Sequence, residues 1–176
     1  IESSYQSSIA TIWKDRVAKH QEYTAKIPFS DFKVFDFICQ NVPKNSQLQV
    51  SNSSAIRYLQ LFDLDKSIQV FCNRGTSGID GSTSTAIGAA LATNLPTILI
   101  TGDISFLYDS NALWNNYIPK NFKIILLNNN GGGIFRILPG HQETETFNTY
   151  FETSHQLNAS HLAKMYGFDY FEANNE

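Results

Sequence analysis

An aspartate and a row of asparagines stand where two apolar runs of the chain stop. Asp103 closely follows the run TILI at 97–100, and Asn129 closely follows the run KIILL at 123–127. Because the carboxyl ends of parallel strands share one edge of a sheet, we expect the two side chains to converge there. A carboxylate and an amide oxygen suit a hard divalent cation such as Mg²⁺, which completes its coordination with water and phosphate oxygens.

Three glycines follow the asparagines in the stretch LLNNNGGGIF. A backbone without Cβ can turn a carbonyl toward a cation and lets a diphosphate approach the main chain closely. Gly131 is the expected source of that carbonyl. A helix expected to begin near Ser105 would point free N–H groups at the same crevice. The competing interpretation is that 102–103 and 128–133 are ordinary turns, since Gly, Asp and Asn are the commonest turn residues.

Short apolar runs alternate with longer helical patterns along the chain, which is typical of βαβ units around a parallel sheet. We therefore predict an α/β fold, a doubly wound parallel sheet with helices on both faces. Strands are expected at 48–51, 68–72, 97–100, 123–127 and 168–173. Helices are expected after Ser30, after Asn52 or Ser53, and over 82–93, 105–118 and 159–166.

Composition narrows the class of protein. The 176 residues suit one domain or part of a longer protein, and we assign 1–29 to a linker from a preceding domain and 30–176 to the domain itself. The net charge of -3, without a basic stripe, argues against a nucleic-acid partner. No apolar run reaches the roughly 20 residues of a membrane-spanning helix. The isolated Cys39 and Cys72 and the absence of a signal-peptide pattern at the start predict a cytoplasmic protein.

Four stretches carry a family resemblance: SNSSAIR, NRGTSGIDGSTSTAIG, GDISFLYDSNAL and NNNGGGIFRILP. The Gly-Asp pair followed by Asn-Asn resembles the diphosphate and metal motif of thiamine-diphosphate enzymes, with Ile104 where the motif often has glycine. Together and in order, the stretches over 49–139 closely resemble one branch of those enzymes. That branch is the MenD family of menaquinone biosynthesis, the 2-succinyl-5-enolpyruvyl-6-hydroxy-3-cyclohexene-1-carboxylate (SEPHCHC) synthases.

The resemblance implies a transferase that uses thiamine diphosphate and Mg²⁺ (or Mn²⁺), decarboxylates 2-oxoglutarate and adds the succinyl unit to isochorismate. It implies metal ligation by the side chains of Asp103 and Asn129 and the carbonyl of Gly131. Ile79 would be the apolar prop that bends the cofactor. Further cofactor contacts are implied for Ser77, Gly78, Gly102, Ile104, Ser105 and Ile134.

Both substrates are dicarboxylates, and the planar fork of arginine matches a carboxylate. Arg57 and Arg74 are the candidates, with Ser53 at the same edge as a further donor to substrate or cofactor. An arbitrary arginine is more often a solvated surface residue, and the matching motif context is what favours binding here. An apolar wall beside the substrate is implied by the resemblance, although core packing would explain it equally well; its residues are Ile134, Phe135 and Leu138.

In the resembled family, the glutamate that activates the cofactor belongs to another domain, the Pyr domain, and the cofactor lies across a dimer interface. No catalytic residue is therefore expected in this chain, and its partners are the rest of its own subunit and a second subunit. Alone, the chain is predicted to be inactive and to self-associate through an apolar face near Ile79 and Ile134. Surface or local hydrogen-bonding roles are expected for the histidines, which are His20, His141, His155 and His161.

Two other interpretations stay open from the sequence. A different thiamine-diphosphate enzyme, such as an acetolactate-synthase-like decarboxylase, would keep Asp103 and Asn129 without requiring two arginines. A non-catalytic flavodoxin-like module would bind Mg²⁺ at an acidic strand end without thiamine.

Overall fold

The computed structural model describes residues 3–175. Its centre is one sheet of four parallel strands in the order β2, β1, β3, β4. The strands are β1 (Gln47–Val50), β2 (Gln69–Cys72), β3 (Thr97–Gly102) and β4 (Phe122–Leu127). The chain passes from β1 to β2 on one side and then returns past β1 to β3, so the strand order reverses between β1 and β3. Ligands of open α/β sheets bind at such a reversal, beyond the carboxyl ends of the strands.

Helices connect and flank these strands. Within residues 3–175 the α-helices are α1 (Ser4–Thr24), α2 (Asp31–Asn41), α3 (Ser54–Leu59), α4 (Ser82–Leu91), α5 (Asp103–Tyr108), α6 (Ile134–Ile137) and α7 (Ser160–Met165). A 3₁₀ helix spans Ser110–Trp114, and a π-helix spans Phe147–Glu152. The starts of α2 and α3 agree with those expected after Ser30 and Ser53. None of the helices in the described part of the chain has both the length and the apolar character needed to cross a membrane.

Apolar side chains are buried on both faces of the sheet. Ile98 and Ile100 of β3 join a core formed with α2 and α3. Leu99, between them, joins a second core that includes residues of α4 and α5. Because alternate residues of β3 enter different cores, the strand is continuously apolar over 98–100. The predicted doubly wound α/β fold with helices on both faces is confirmed.

The helix predicted over 105–118 is wrong in its bounds, because α5 begins at Asp103 and stops before Asp109. Asp109 is buried, and its Oδ2 accepts hydrogen bonds from the backbone N of Ser84 at 2.7 Å and from its hydroxyl at 3.0 Å. The N-cap position of α4 is Gly81, which has no side chain to cap the helix. Asp109 supplies that cap from another part of the chain, and its own helix is interrupted there.

The strand predicted at 168–173 does not form. The chain leaves α7 through Gly167, which has a φ of 78°, and the N–H of Phe168 donates to the carbonyl of Ala163 at 2.8 Å, which closes the helix end. Beyond this point the path is irregular, and Phe171 is 90% exposed. A strand needs a hydrogen-bonded neighbour, and none of the four strands pairs with this segment.

The first 29 residues, predicted to be a linker, contain the long helix α1. Its second half packs beside α2, where the rings of His20 and Tyr23 each lie 5.4 Å from the ring of Phe32. The division of the chain into a linker and a domain stays a prediction.

Candidate cofactor site

The carboxyl ends of β3 and β4 lie side by side. The register pairs Gly102 with Leu127, the last residues of their strands. Asp103 and the asparagines 128–130 are therefore the next residues beyond a common edge. Both strands are largely apolar, and Asp103 and the asparagines follow directly where each strand ends.

Asp103 is a buried carboxylate with 4% of its surface exposed. Its Oδ1 accepts a hydrogen bond from the backbone N of Ile104 at 2.7 Å, and its Oδ2 accepts one from the backbone N of Gly131 at 3.0 Å. Burial raises the pKa of Asp103, because loss of water disfavours the charged form, while these N–H groups and the nearby His155 act in the opposite direction. The structure thus joins the aspartate to the glycine loop directly.

His155 makes the kind of local hydrogen bond that was predicted, since its Nδ1 accepts from the backbone N of Leu157 at 3.1 Å. It also lies beside this carboxylate, a contact that was not predicted. Its Nε2 is 3.3 Å from Oδ2 of Asp103, and its side chain is 14% exposed. The contact lacks hydrogen-bond geometry, so among residues 3–175 this buried nitrogen has no hydrogen-bond partner. No spacing pattern around His155 signals the contact, because the long segment between α6 and α7 creates it.

The other two predicted metal ligands lie at the same edge and make local hydrogen bonds. The Nδ2 of Asn129 donates to Oδ2 of Asp31 at 2.9 Å, which ties the end of β4 to the start of α2. This leaves the amide oxygen as the accepting atom of Asn129. The carbonyl of Gly131 accepts from the N–H of Gly133 at 3.0 Å, and a second lone pair on that oxygen stays open to a cation.

Gly131 occupies a position that disfavours any side chain. Its φ is 153°, and a Cβ added there would lie 2.8 Å from the carbonyl oxygen of Glu152. The N–H of Gly132 donates to that same oxygen at 2.7 Å. The glycine loop therefore lies directly against the end of the π-helix, which explains why side chains are absent here.

An ion pair holds the π-helix in this place. Nε and Nη2 of Arg136 donate to the two carboxylate oxygens of Glu152, each at 2.5 Å, in a bidentate arrangement. Hydrogen bonding from Arg136 lowers the pKa of Glu152. Three residues further on, the N–H of His155 donates to the carbonyl of Asn130 at 3.1 Å. The chain after the glycine loop thus folds back over Asp103.

The donor set at this edge fits Mg²⁺. The carboxylate of Asp103, the amide oxygen of Asn129 and the carbonyl of Gly131 are hard oxygen ligands, and Mg²⁺ commonly takes few protein ligands beside phosphate and water. The buried Nε2 of His155 has no hydrogen-bond partner among the described residues, so a polar group can be accommodated beside Asp103. Among residues 3–175, no group of three or more His, Cys, Asp or Glu side chains could hold a metal ion, so the proposed donor set depends on one carboxylate with amide and carbonyl oxygens.

The loop between β2 and α4 forms the opposite wall of the crevice. Ser77 is exposed with a φ of 64°, and Ile79 is half-buried. The buried hydroxyl of Ser105 donates to the carbonyl of Ile79 at 2.5 Å. Because Ser105 is in the same first turn of α5 as Asp103, the structure brings the predicted apolar prop and the predicted metal ligand to one crevice.

The predicted substrate-binding residues lie along the ends of β1 and β2. Ser53 has a φ of 70° and a ψ of -135°, an unusual backbone conformation for a residue with a side chain. Arg57 is exposed in the short helix that follows. Arg74 lies just after β2, and its Nη1 donates to Oδ1 of Asn52 at 2.7 Å.

Asn52 lies beside the predicted substrate-binding residues and was not predicted to contact them. Asn52 or Ser53 was expected to cap α3, and the N-cap position is Ser53. Asn52 is only 2% exposed, and its side chain contacts the loop after β2. A polar residue directly after an apolar strand was the available signal, the same one that identified Asp103. Because a helix cap already explained this polar residue, its contact with the loop after β2 was not predicted.

A cleft of about 310 Å³ opens beside α6. Phe135 and Leu138 from the predicted apolar wall line it on one side, and Phe147 and Phe151 of the π-helix line it on the other. His141 also lines the cleft, with its ring 5.5 Å from that of Phe147. Ile134 is half-buried at the start of α6.

Two solved structures define the class of fold. The thiamine diphosphate-dependent 4-hydroxybenzoylformate decarboxylase of Rhodococcus jostii RHA1 superimposes with a TM-score of 0.55 at 24% identity, over 80% of this chain and 27% of that one. The benzoylformate decarboxylase of Polynucleobacter necessarius superimposes with a TM-score of 0.59 at 19% identity, over 81% of this chain and 28% of that one. The fold is the α/β domain that forms part of these larger enzymes.

The sequence identifies the family within that class. A family model described as thiamine pyrophosphate enzyme, C-terminal TPP binding domain, matches residues 52–176. The chain belongs to this family, and the resemblance to thiamine-diphosphate enzymes is thereby confirmed.

Relatives in three bacteria carry one name, 2-succinyl-5-enolpyruvyl-6-hydroxy-3-cyclohexene-1-carboxylate synthase. The Flavobacterium johnsoniae protein is 69% identical over 173 residues, which are 98% of this chain and 31% of that protein. The Flavobacterium psychrophilum protein is 70% identical over 176 residues, which are 100% of this chain and 32% of that protein. The Bacteroides fragilis protein is 44% identical over 151 residues, which are 86% of this chain and 27% of that protein. The chain thus spans about a third of the length of the curated relatives it matches.

Proposed function

We propose that this chain is the diphosphate- and metal-binding domain of a SEPHCHC synthase. Such an enzyme decarboxylates 2-oxoglutarate and adds the succinyl unit to isochorismate in menaquinone biosynthesis. The observation that carries the proposal is the 70% identity over all 176 residues to a protein of that name. The buried Asp103 at the glycine loop supports it, since the geometry suits a metal-bound diphosphate.

The residues of this chain would hold and orient the cofactor. Asp103, Asn129 and the carbonyl of Gly131 would ligate Mg²⁺ or Mn²⁺, and the glycine loop would let the diphosphate approach the backbone. Ile79 would support the bent cofactor from the opposite wall. When bound, thiamine diphosphate supplies the nucleophilic carbon and the electron sink for decarboxylation.

The same crevice would bind the substrates. Arg57 and Arg74 would pair with substrate carboxylates, and Ser53 would donate a hydrogen bond beside them. The aromatic cleft next to α6 would take the apolar part of the substrate against Phe135 and Leu138. The glutamate that activates the cofactor would come from a Pyr domain across the dimer interface.

The proposed partners are the remainder of its own subunit and a second subunit of a homodimer. The edge strand β2 supports this, since Val70 is 41% and Phe71 is 47% exposed there. A cytoplasmic location is part of the proposal, supported by the two free cysteines, Cys39 and Cys72.

Activity assays of the full-length enzyme test the proposal. The expected result is formation of the succinyl adduct from 2-oxoglutarate and isochorismate, with no turnover by the 176-residue chain alone. Arg57→Ala and Arg74→Ala should each reduce kcat/KM for the dicarboxylates. Turnover of pyruvate alone, with no effect of either arginine substitution, would support the acetolactate-synthase-like alternative. Calorimetry in which thiamine diphosphate gives no metal-dependent heat with the full-length enzyme would support the non-catalytic module.

A further inference from the structure

The side chain of Asn52 joins three segments of the crevice while only 2% exposed. Its Nδ2 donates to the carbonyls of Asn73 at 2.8 Å and Gly78 at 2.7 Å. Its Oδ1 accepts from Nη1 of Arg74 at 2.7 Å and from Sγ of Cys72 at 3.3 Å. Both amide hydrogens and both acceptor positions are therefore used, which is the full hydrogen-bonding capacity of the group.

These contacts hold a flexible side chain. Arg74 is exposed after the end of β2, and a long exposed arginine ordinarily samples many rotamers. The bond from one Nη1 hydrogen to Asn52 uses one of the five N–H donors and leaves the others for a carboxylate. Asn52 therefore fixes the direction of the guanidinium without exhausting its capacity to bind.

The same amide fixes the backbone on which Ile79 stands. The carbonyl of Gly78 is held by Asn52 from the end of β1, and the carbonyl of Ile79 is held by the hydroxyl of Ser105 in α5. Two consecutive carbonyls are thus bound from two different elements. The two peptide groups on either side of the Cα of Ile79 are therefore both held, which fixes the direction in which its side chain leaves the backbone.

Asn52 also precedes the unusual conformation of Ser53, whose φ is 70° and ψ is -135°. Non-glycine residues adopt such backbone angles only where the surrounding structure imposes them. With the Asn52 side chain bound to the loop after β2, the chain must turn sharply at Ser53 to enter α3.

We infer that Asn52 is a positioning residue that sets the substrate-binding guanidinium of Arg74 and the cofactor-supporting backbone at Gly78 and Ile79. This inference rests on the proposed function. Asn52 acts through these neighbours and is itself buried behind them. One amide side chain would thereby link the position of the Arg74 guanidinium, which binds substrate, to the position of the backbone at Ile79, which supports the cofactor.

A double-mutant cycle in the full-length enzyme tests whether Asn52 positions Arg74. Asn52→Ala should raise KM for the dicarboxylate substrate by about tenfold, the scale of a lost hydrogen bond to a charged group, with a smaller change in kcat. In an Arg74→Ala background, Asn52→Ala should produce no further rise in KM. Additive effects of the two substitutions would overturn the inference, because a general loss of stability does not depend on Arg74.

Calorimetric titration with thiamine diphosphate and Mg²⁺ tests whether Asn52 positions the cofactor-supporting backbone at Gly78 and Ile79. Asn52→Asp keeps an acceptor for Arg74 but sets a carboxylate oxygen against the carbonyls of Asn73 and Gly78. It should weaken cofactor binding by about tenfold, whereas Arg74→Ala should leave that affinity unchanged. Unchanged affinity in Asn52→Asp would overturn the inference. If Asn52→Ala fails to fold, this titration decides the matter alone.

A matched control lies in the same loop. The Asn73 side chain donates to Oγ1 of Thr85 at 3.0 Å and to the carbonyl of Gly81 at 3.4 Å, away from Arg74 and Gly78. Asn73→Ala should change substrate KM and cofactor affinity by no more than about twofold. A change as large as that of Asn52→Ala would count against the inference. An unmodified full-length enzyme without SEPHCHC synthase activity would instead refute the proposed function.

Discussion

The Nε2 of His155 lies 3.3 Å from Oδ2 of Asp103, the same oxygen that accepts the N–H of Gly131. The other ring nitrogen, Nδ1, accepts a hydrogen bond from the backbone N of Leu157 at 3.1 Å. The neutral imidazole therefore carries its hydrogen on Nε2, the nitrogen that faces the carboxylate. A residue distant in the chain thus contacts the proposed metal ligand, in the position that outer-sphere partners of metal sites occupy.

Replacing His155 should weaken metal-dependent cofactor binding without abolishing it. His155→Leu removes the imidazole that lies against Oδ2 of Asp103, and a loss of roughly tenfold in affinity for Mg²⁺ and thiamine diphosphate is expected. The measurement is calorimetric titration of the full-length enzyme. His161→Ala, an exposed histidine in α7, is the control and should have no effect. Equal affinities of His155→Leu and the unmodified enzyme would show that the contact has no orienting role.

Asp103 itself should be required for the dependence of cofactor binding on metal. Asp103→Asn removes the only carboxylate of the proposed ligand set, so Mg²⁺ should no longer increase affinity for thiamine diphosphate. Asp109→Asn is a matched control, since Asp109 is also buried and 8% exposed but caps α4. It should lower stability by about 1 kcal/mol, as the loss of a helix cap does, and retain the metal dependence. The reverse pattern would place the cation at Asp109.

Local patterns were enough to predict the parallel sheet and the shared edge at which β3 and β4 end, next to Asp103 and Asn129. Apolar runs mark strands buried on both faces, and their first polar residues mark the ends. The hydrogen bond from Asn129 to Asp31 was not predictable in this way, because it joins residues 98 positions apart. Nothing in either local sequence specifies the other partner.

Two of the errors share a physical cause, which is non-local hydrogen bonding. The pattern over 105–118 is helical, and the helix is interrupted because Asp109 caps α4 at Ser84. Asn52 has the composition of an N-cap, yet its amide binds carbonyls more than 20 positions away. Propensity describes each segment alone, while tertiary contacts decide where its polar groups bond.

Gly131→Ala should destabilise the chain. Its φ of 153° and the 2.8 Å approach of a new Cβ to the backbone of Glu152 require the loop to move, and a loss of about 1–3 kcal/mol is expected. Gly88→Ala is the control, because Gly88 is exposed in the interior of α4 with open space around its Cα. That change should stabilise the chain by up to about 1 kcal/mol, the helix propensity difference. Urea unfolding measures the change in unfolding free energy for both variants. Changes of the same sign would contradict the steric restriction at Gly131.

The ion pair between Arg136 and Glu152 should make stability depend on acidity. The pKa of Glu152 is lowered in the folded chain, chiefly by hydrogen bonding from Arg136, so the unfolded chain binds its proton first as pH falls. The stabilisation is complete above the unfolded pKa of about 4.3 and is lost as pH falls from there through the folded value.

Glu152→Gln should therefore be less stable than the unmodified chain at pH 7, and the difference should shrink below about pH 4, as measured by urea midpoints over this range. Glu143→Gln is the matched control. Glu143 contacts the same Arg136 at 3.4 Å, but its side chain is 65% exposed, so water screens the pair and little change is expected at any pH. A difference for Glu152→Gln that stays constant from pH 7 to pH 3 would mean that the side chain contributes by packing and not by its charge.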